Sequence, residues 1–403
     1  MVTSDDAPIE ARAQAPTPIT GWRLLLTRAR MVAALARIAL RAYGDPAVAL
    51  RAARGVASLA ARAGPWPRHL ALHRGRAFGR LFRAGFPSRA FDRLLEVELN
   101  KRAPFRAGFD LPMALLAVTR RCSLRCQHCS EWDTHGQADP LSIEALRGVA
   151  AALRARGVSH LELTGGEPLL RLDAVEAIAR DVAADVDVWV LTSGAPMTAR
   201  SARRLTDVNV TGVMVSLDHW DAARHDTFRG AAGTFDRALH AMTLARDAGL
   251  LVGVSVTATR ETANPDDLLR VVAVAREHGA TFVRVLAPRA VGRWSNADVA
   301  LEAEHRAAVA SLADAVDARW PGSAPIVEDL DAARRAEGCQ GAGRQYLFID
   351  AAADVHACPF CHGAAGNCLR EGLDTSLARL RGRACDADAA ERLVTLRRHG
   401  PRA

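Results

Sequence analysis

Along Gly21–Tyr43 large apolar residues recur at every third and fourth position with arginines between them, which is the period of an amphipathic helix. Gly44, Asp45 and Pro46 end that pattern, and a second Ala/Arg-rich helix is expected over about 47–62. Pro65 and Pro67 break it again, and a third helical stretch spans about 88–99. From Met113 the pattern changes: short apolar runs alternate with longer amphipathic ones. Strands are predicted near 114–119, 160–164, 187–192, 212–217, 251–257 and 281–286, and helices near 141–156, 172–184, 197–207, 233–248, 265–278 and 301–318. Six β/α repeats predict a parallel sheet with helices outside, an α/β fold of the partial (β/α)6 TIM-barrel type. Beyond it, Gln345–Ile349 and Asp354–Ala357 alternate like strands around a short turn and read as a β-hairpin. The chain thus divides into a basic helical N-terminal region (1–110), a barrel (111–320) and a small cysteine-rich α+β extension (321–403).

Composition narrows the class without naming a function. The 403 residues are 49% hydrophobic and 24% charged, ordinary globular usage, with room for a barrel and smaller domains. No run of about 18 apolar residues appears, and the acidic opening from Met1 to Asp6 lacks a signal-peptide pattern, so a cytoplasmic protein is expected. The net charge of +8 is uneven: residues 1–110 hold 19 Lys and Arg against 8 Asp and Glu. Three readings of this basic region stand open: a cap packed on the barrel, a helix lying on an anionic membrane surface, and a docking surface for a partner or substrate peptide. Nucleic acid is not expected, because the aromatic residues are sparse and not interleaved with the arginines as a stacking platform requires.

Chemistry enters with the cysteines. Cys122, Cys126 and Cys129 stand at C-x3-C-x2-C spacing directly after the first barrel strand. Thiolates are the usual ligands of iron–sulfur clusters, which normally take four. Three on one loop leave an iron open to a further ligand. A zinc knuckle completed by His128 is the plainer alternative. The second strand ends in Thr164-Gly165-Gly166-Glu167-Pro168: two glycines that permit close backbone approach, a carboxylate, and a proline that can start a helix. Cys122, Glu167, Ser193, Asp218 and Thr257 all fall at or just beyond strand C-terminal ends, where barrels of this type carry their chemistry.

These motifs together resemble the radical S-adenosylmethionine superfamily, over about residues 112–370. The resemblance implies that Cys122, Cys126 and Cys129 bind a [4Fe–4S] cluster whose open iron chelates S-adenosylmethionine. It also implies that Gly165, Gly166, Glu167 and Pro168 meet the methionine amino group. Thr192-Ser193-Gly194 is similar to the family's Thr-Asn-Gly-like turn, with Ser193 in place of Asn, and Ser216-Leu217-Asp218 matches a motif near the ribose. Asp218 and His219 are candidate proton acceptors after hydrogen abstraction, with a hydrogen-bonded structural role as the alternative for His219. Glu131, Trp132, Asp133, His135 and Trp220 follow strand ends and are further candidates to face a substrate. Arg289 and Arg293 suit either a carboxylate or phosphate ligand or a solvated loop.

The extension carries Cys339, Cys358, Cys361, Cys368 and Cys385. It resembles the twitch or SPASM extensions of the same superfamily, which carry auxiliary iron–sulfur clusters, although Ala353 stands where the usual pattern has Gly. The resemblance implies one auxiliary [4Fe–4S] cluster on Cys339, Cys358, Cys361 and Cys368, with Cys385 as an alternative fourth ligand. A structural zinc site, or ligation by His356 or His362, are other readings. The implied enzyme makes a 5′-deoxyadenosyl radical and takes hydrogen from a C–H bond, drawing electrons from a flavodoxin- or ferredoxin-type donor. The expected substrate is a small metabolite or lipid-linked precursor; the alternatives are a ribosomally made peptide and a non-catalytic iron–sulfur or zinc protein. A winged-helix peptide-recognition module should show strands near the N-terminus, where the pattern predicts helices.

Overall fold

The computed structural model describes residues 16–62, 68–81 and 83–382. Its centre is a nine-stranded sheet in the order β10-β9-β8-β7-β6-β5-β4-β11-β12. The barrel strands are β4 (Met113–Ala117), β5 (His160–Thr164), β6 (Asp187–Thr192), β7 (Gly212–Ser216), β8 (Leu251–Thr257) and β9 (Phe282–Leu286), each parallel to the next. All six expected strands form. Two more parallel strands lengthen the sheet: β10 (Ile326–Asp329) beside β9, and β11 (Tyr346–Ile349) beside β4. The expected C-terminal hairpin is present, with β12 (Val355–His356) antiparallel to β11. Its register, Tyr346 opposite Met113 and Ile349 opposite Leu116, seats the extension on the free edge of the barrel.

The outer helices are α4 (Ile143–Ala155), α5 (Leu172–Val182), α6 (Ala199–Asp207), α7 (Ala222–Arg229), α8 (Thr234–Asp247), α9 (Pro265–Glu277), α10 (Ala303–Arg319), α11 (Leu330–Glu337) and α12 (Leu373–Arg381). Local chemistry sets their starts. Ser142 caps α4 by accepting from Ala145 N, and Asn264 caps α9 ahead of Pro265. Leu146, Val149 and Leu153 of α4, spaced three and four apart, are fully buried against the sheet. Each contributes roughly 1.5–3 kcal/mol by burial.

The N-terminal region contains α1 (Gly21–Tyr43), α2 (Pro46–Arg62) and α3 (Arg89–Asn100), close to the expected helices. It also contains strands that the helical reading missed: β1 (Thr17–Ile19), β2 (Leu70–His73) and β3 (Arg76–Phe78), an antiparallel sheet in the order β1-β2-β3. These strands are three or four residues long and carry Pro, His and Arg, too short and too polar to show a period of two. They position the segment that closes the barrel. Phe78 and Leu81 are buried with Trp189, Met214, Leu251, Phe282 and Ile326, an apolar seal at the N-terminal ends of the barrel strands. Gly85 is required there, since a Cβ would lie 2.4 Å from the Phe78 ring. Polar ties fix the seal: Arg76 pairs with buried Asp187, His73 Nε2 lies 3.0 Å from Gly249 O, and Leu81 N donates to Glu328 at 2.9 Å.

Candidate active site

The cysteine loop leaves β4 through a braced turn. Asp139 accepts from Thr119 Oγ1 at 2.7 Å, Arg120 N at 2.8 Å and Arg121 Nε at 3.0 Å, fixing the three residues before Cys122. The loop is then gripped from two sides. Phe228 O and Arg229 O, at the end of α7, accept from Gln127 N and Arg125 N, and Arg293 N donates to Cys129 O at 3.0 Å. His128 stacks on Phe228 with ring centroids 4.8 Å apart. Gly230 and Gly292 permit this grip: a Cβ on Gly230 would stand 2.6 Å from Arg125 O, and one on Gly292 2.2 Å from Cys129 O. Their φ angles, +71° and +55°, lie in a region that glycine enters without cost.

Cys122, Cys126 and Cys129 are half-buried on the wall of one large cavity, close enough that charge on Cys126 raises the pKa of Cys122 and of Cys129. Burial pushes Cys122 up to about 11 and Cys129 up to about 12, so their thiolates need an added positive charge. Donors stand ready for sulfur: Leu124 N lies 3.4 Å from Cys122 Sγ, and Arg229 Nη1 lies 3.7 Å from Cys126 Sγ. Iron–sulfur clusters are held by thiolates and tuned by such donors, and this set of ligands suits one. The His128 ring is occupied by its Phe228 stack and burial pulls it down to about 4.

The glycines of Gly165-Gly166-Glu167-Pro168 make a close approach to neighbouring backbone. Gly166 N donates to Thr119 O and Glu167 N to Arg121 O, both at 2.8 Å. A Cβ on Gly165 would fall 2.4 Å from Thr119 O and one on Gly166 2.3 Å from Arg121 O. The end of β5 is thus fastened to the root of the cysteine loop. Glu167 is buried, and its carboxylate accepts from Thr192 Oγ1 (2.7 Å), Ser193 N (2.8 Å), Ser193 Oγ (2.6 Å) and Leu169 N (3.2 Å). Those four bonds match the capacity of a carboxylate, so Glu167 shapes the turn after β6 instead of offering a free charge. Burial still holds its pKa above the ordinary value. Pro168 starts the short turn that follows, and Ser193 and Ser216 lie on the cavity wall with Gly165 and Gly166.

The second cysteine group reaches the same cavity. Cys339 precedes β11, and Cys358 and Cys361 follow β12 with their sulfurs 3.5 Å apart. Tyr346 of β11 stands among these three, its phenol pushed well up by burial and by the charge that the thiols would carry. Cys339, Tyr346 and Cys358 line the cavity, whose volume is about 900 Å³. Cys368 is buried in the strand-like return after β12, where its N–H donates to Ala353 O at 2.8 Å, and burial alone pushes it up to about 11. Cys385 lies outside the described residues. Ala353 has φ +66°, which explains why glycine suits that position. His356 is committed to Asp350, 3.6 Å away, and to Cys361 O.

Some expected residues are placed elsewhere. Asp218 is buried away from the cavity wall, where it pairs with Arg229 and accepts from Thr257 N at 2.9 Å. His219 is also buried off the wall, and its Nδ1 accepts from Asp221 N at 2.8 Å. Neither is among the residues that line the cavity. Trp220 donates to Asp267 at 2.6 Å and Arg293 covers Trp132, whereas Arg289 lines the cavity and pairs there with Asp331. Glu131 and His135 do line the cavity. Burial and nearby Asp350 push Glu131 up to about 7. The role of Tyr346 had no signal in the sequence beyond its place in a strand.

Comparison with known proteins agrees with this geometry. A family model described as the Radical SAM superfamily matches residues 116–275. Mycofactocin maturase MftC of Mycolicibacterium smegmatis is 32% identical over 281 residues, covering 66% of this chain and 70% of the relative. GTP 3',8-cyclase of Acidothermus cellulolyticus is 31% identical over 234 residues, covering 54% of this chain and 64% of the relative. Streptococcus suis SuiB bound to precursor peptide SuiA superposes with a TM-score of 0.54 at 15% identity, covering 68% of this chain and 67% of that one. Native anSMEcpe with bound AdoMet gives 0.52 at 16% identity, covering 66% and 80%. At such identities the two structures speak for the fold.

Proposed function

The chain belongs to the radical SAM superfamily, and from that premise we propose that it oxidises a ribosomally made peptide held between its two cysteine groups. The observation that carries this reading is the shared cavity, on whose wall Cys122, Cys126 and Cys129 stand together with Cys339 and Cys358. S-adenosylmethionine at a reduced [4Fe–4S] cluster supplies a 5′-deoxyadenosyl radical that takes hydrogen from an unactivated C–H bond. Cys122, Cys126 and Cys129 hold that cluster, with Arg229 and Leu124 N supporting the sulfurs. Glu167 fixes the Ser193 turn, against which the cofactor would rest. Phe78 and Leu81 pack against the barrel strands that carry the site. Cys339, Cys358 and Cys361, with Cys368 or Cys385 as a fourth ligand, would hold an auxiliary cluster, which would supply an acceptor for the second electron of a net oxidation. A flavodoxin- or ferredoxin-type donor supplies the first.

The peptide takes precedence over a small metabolite for two reasons. A maturase and a structure solved with a bound precursor peptide stand among the similar proteins, and the N-terminal region contains an antiparallel sheet whose expected absence had argued against peptide recognition. The second reading, a lipid-linked or other small precursor, is favoured by the exposed apolar face of α1. The test is anaerobic incubation of the reconstituted full-length protein with S-adenosylmethionine, reductant and a short peptide encoded beside its gene. Deoxyadenosine formation coupled to loss of two hydrogens from the peptide supports the proposal. Deoxyadenosine formed with an unaltered peptide, and stimulated instead by a lipid extract, would transfer the function to the second reading.

A further inference from the structure

The first helix carries two apolar faces, and the protein's own core covers one of them. Leu24, Met31, Ala34, Leu35, Ile38 and Ala39 are buried where α1 packs on α2 and α3. On the opposite side Trp22 is 71% exposed, Leu25 66%, Leu26 51%, Val32 62% and Leu40 50%. Ala29, Ala33 and Ala36 are exposed between them. At about 100° per residue these positions form one stripe along the helix. With 23 residues, α1 runs about 35 Å at about 1.5 Å per residue.

Cations border that stripe. Arg23, Arg30 and Arg37 recur at a seven-residue interval along one flank, followed by Arg41, and α1 contains no acidic residue. Arg37 and Arg41 reach Asp92 and Glu96 of α3. Arg51 and Arg54 of α2 are exposed as well. No helix among the described residues is long and apolar enough to cross a membrane.

We propose that α1 is a membrane-surface helix that seats the protein on anionic lipid, with the Trp22–Leu40 stripe in the head-group and acyl boundary and the arginine flank on the phosphates. Charge complementarity selects this occupant. A bilayer of anionic lipid offers an apolar interior and a negative rim at the depths the stripe and its flank require, and Trp at one end suits the interface. A symmetric contact between two copies would bring arginine-rich flanks together, where like charges repel. The inference stands on surface geometry alone and does not depend on the substrate.

The experiment uses the full-length protein and vesicles of phosphatidylglycerol and phosphatidylcholine in equal parts, compared with pure phosphatidylcholine. Sedimentation with the anionic vesicles only, weakening as salt shortens the screening length, is expected. The Leu25→Glu/Val32→Glu double variant should bind at least about tenfold more weakly, because two apolar side chains no longer enter the interface. Both positions are exposed, so its melting temperature should match the parent. Arg23→Gln/Arg30→Gln should weaken binding to anionic vesicles while leaving the stripe intact. Absence of sedimentation at low salt overturns the proposal. So does binding that survives the double variant, or a concentration-dependent dimer that the double variant abolishes, which would make the stripe a contact between copies.

Discussion

Arg229 stands 3.7 Å from the sulfur of Cys126, and Asp218 holds it there from behind. The three residues form a buried relay from β7 to the cysteine loop, with Asp218 fixed in turn by Thr257 N. A guanidinium beside a thiolate offsets part of the negative charge that a reduced cluster accumulates. It stays charged under all conditions of interest, because ion pairing raises its pKa against the opposing effect of burial.

Replacing this cation should therefore change the cluster's potential before it changes the fold. Arg229→Lys keeps a charge near Asp218 but loses the fork that reaches both partners. Its cluster should have a reduction potential lower by tens of millivolts, read by electron paramagnetic resonance titration. Arg229→Met leaves Asp218 buried without its partner and should cost about 3–5 kcal/mol of stability. A potential unchanged in Arg229→Lys would show that the arginine only braces the loop.

Cluster content gives a second test. Two four-iron clusters predict about eight irons per chain. Replacing Cys122, Cys126 and Cys129 together by Ala should abolish cleavage of S-adenosylmethionine and leave about four irons with an iron–sulfur absorption spectrum. Retention of zinc with no residual spectrum would identify the C-terminal group as a structural site.

The legibility of this site in sequence followed the range of each interaction. Cys122, Cys126 and Cys129 share one loop, and Gly165 to Pro168 share one turn, so spacing alone exposed them. The six barrel strands showed as apolar runs because they are buried on both faces. Asp218 misled because a carboxylate at a strand end reads the same whether it faces the cavity or an arginine. Its partner Arg229 is set by the packing of α7, which no local pattern encodes. The strands β1, β2 and β3 were illegible because their pairing is closed by chain far away: Ile19 pairs with Leu70 across two helices. Ala353 was noticed as a departure from glycine, but only its φ of +66° explains the preference.

The Glu167 carboxylate yields a third expectation. Its bonds to Thr192 and Ser193 tie β5 to β6 on the cavity wall, where the proposed cofactor would sit. Glu167→Gln puts an amide donor where Ser193 N and Oγ, or Thr192 Oγ1, also donate, leaving buried donors unpaired at about 1–3 kcal/mol. Affinity for S-adenosylmethionine should fall roughly tenfold or more by that energy, measured by equilibrium binding to the reconstituted protein. Iron content should stay near that of the parent, because the cysteines are untouched. Unchanged affinity would remove Glu167 from the cofactor site.

The last expectation concerns acid stability of the barrel seal. His73 Nε2 lies 3.0 Å from Gly249 O, while its Nδ1 is buried without a hydrogen-bond partner. Burial, helped by Arg74 and Arg76, pulls its pKa from 6.5 to about 4. The unfolded chain therefore binds a proton at this ring before the folded protein does, and stability rises with pH across that interval. The contribution is fully present above about pH 6.5 and is lost as pH falls through about 4. His225, whose Nδ1 accepts from Asp218 N and which burial also pulls to about 4, adds a slope of the same sign. His73→Gln keeps a donor for Gly249 O and removes the titration. Between pH 7.5 and 5 the parent should lose a few degrees more in melting temperature than the variant. Equal losses would mean that β2 releases its hold on the barrel before His73 is protonated, and that the acid sensitivity resides in His225 and the buried acids around it.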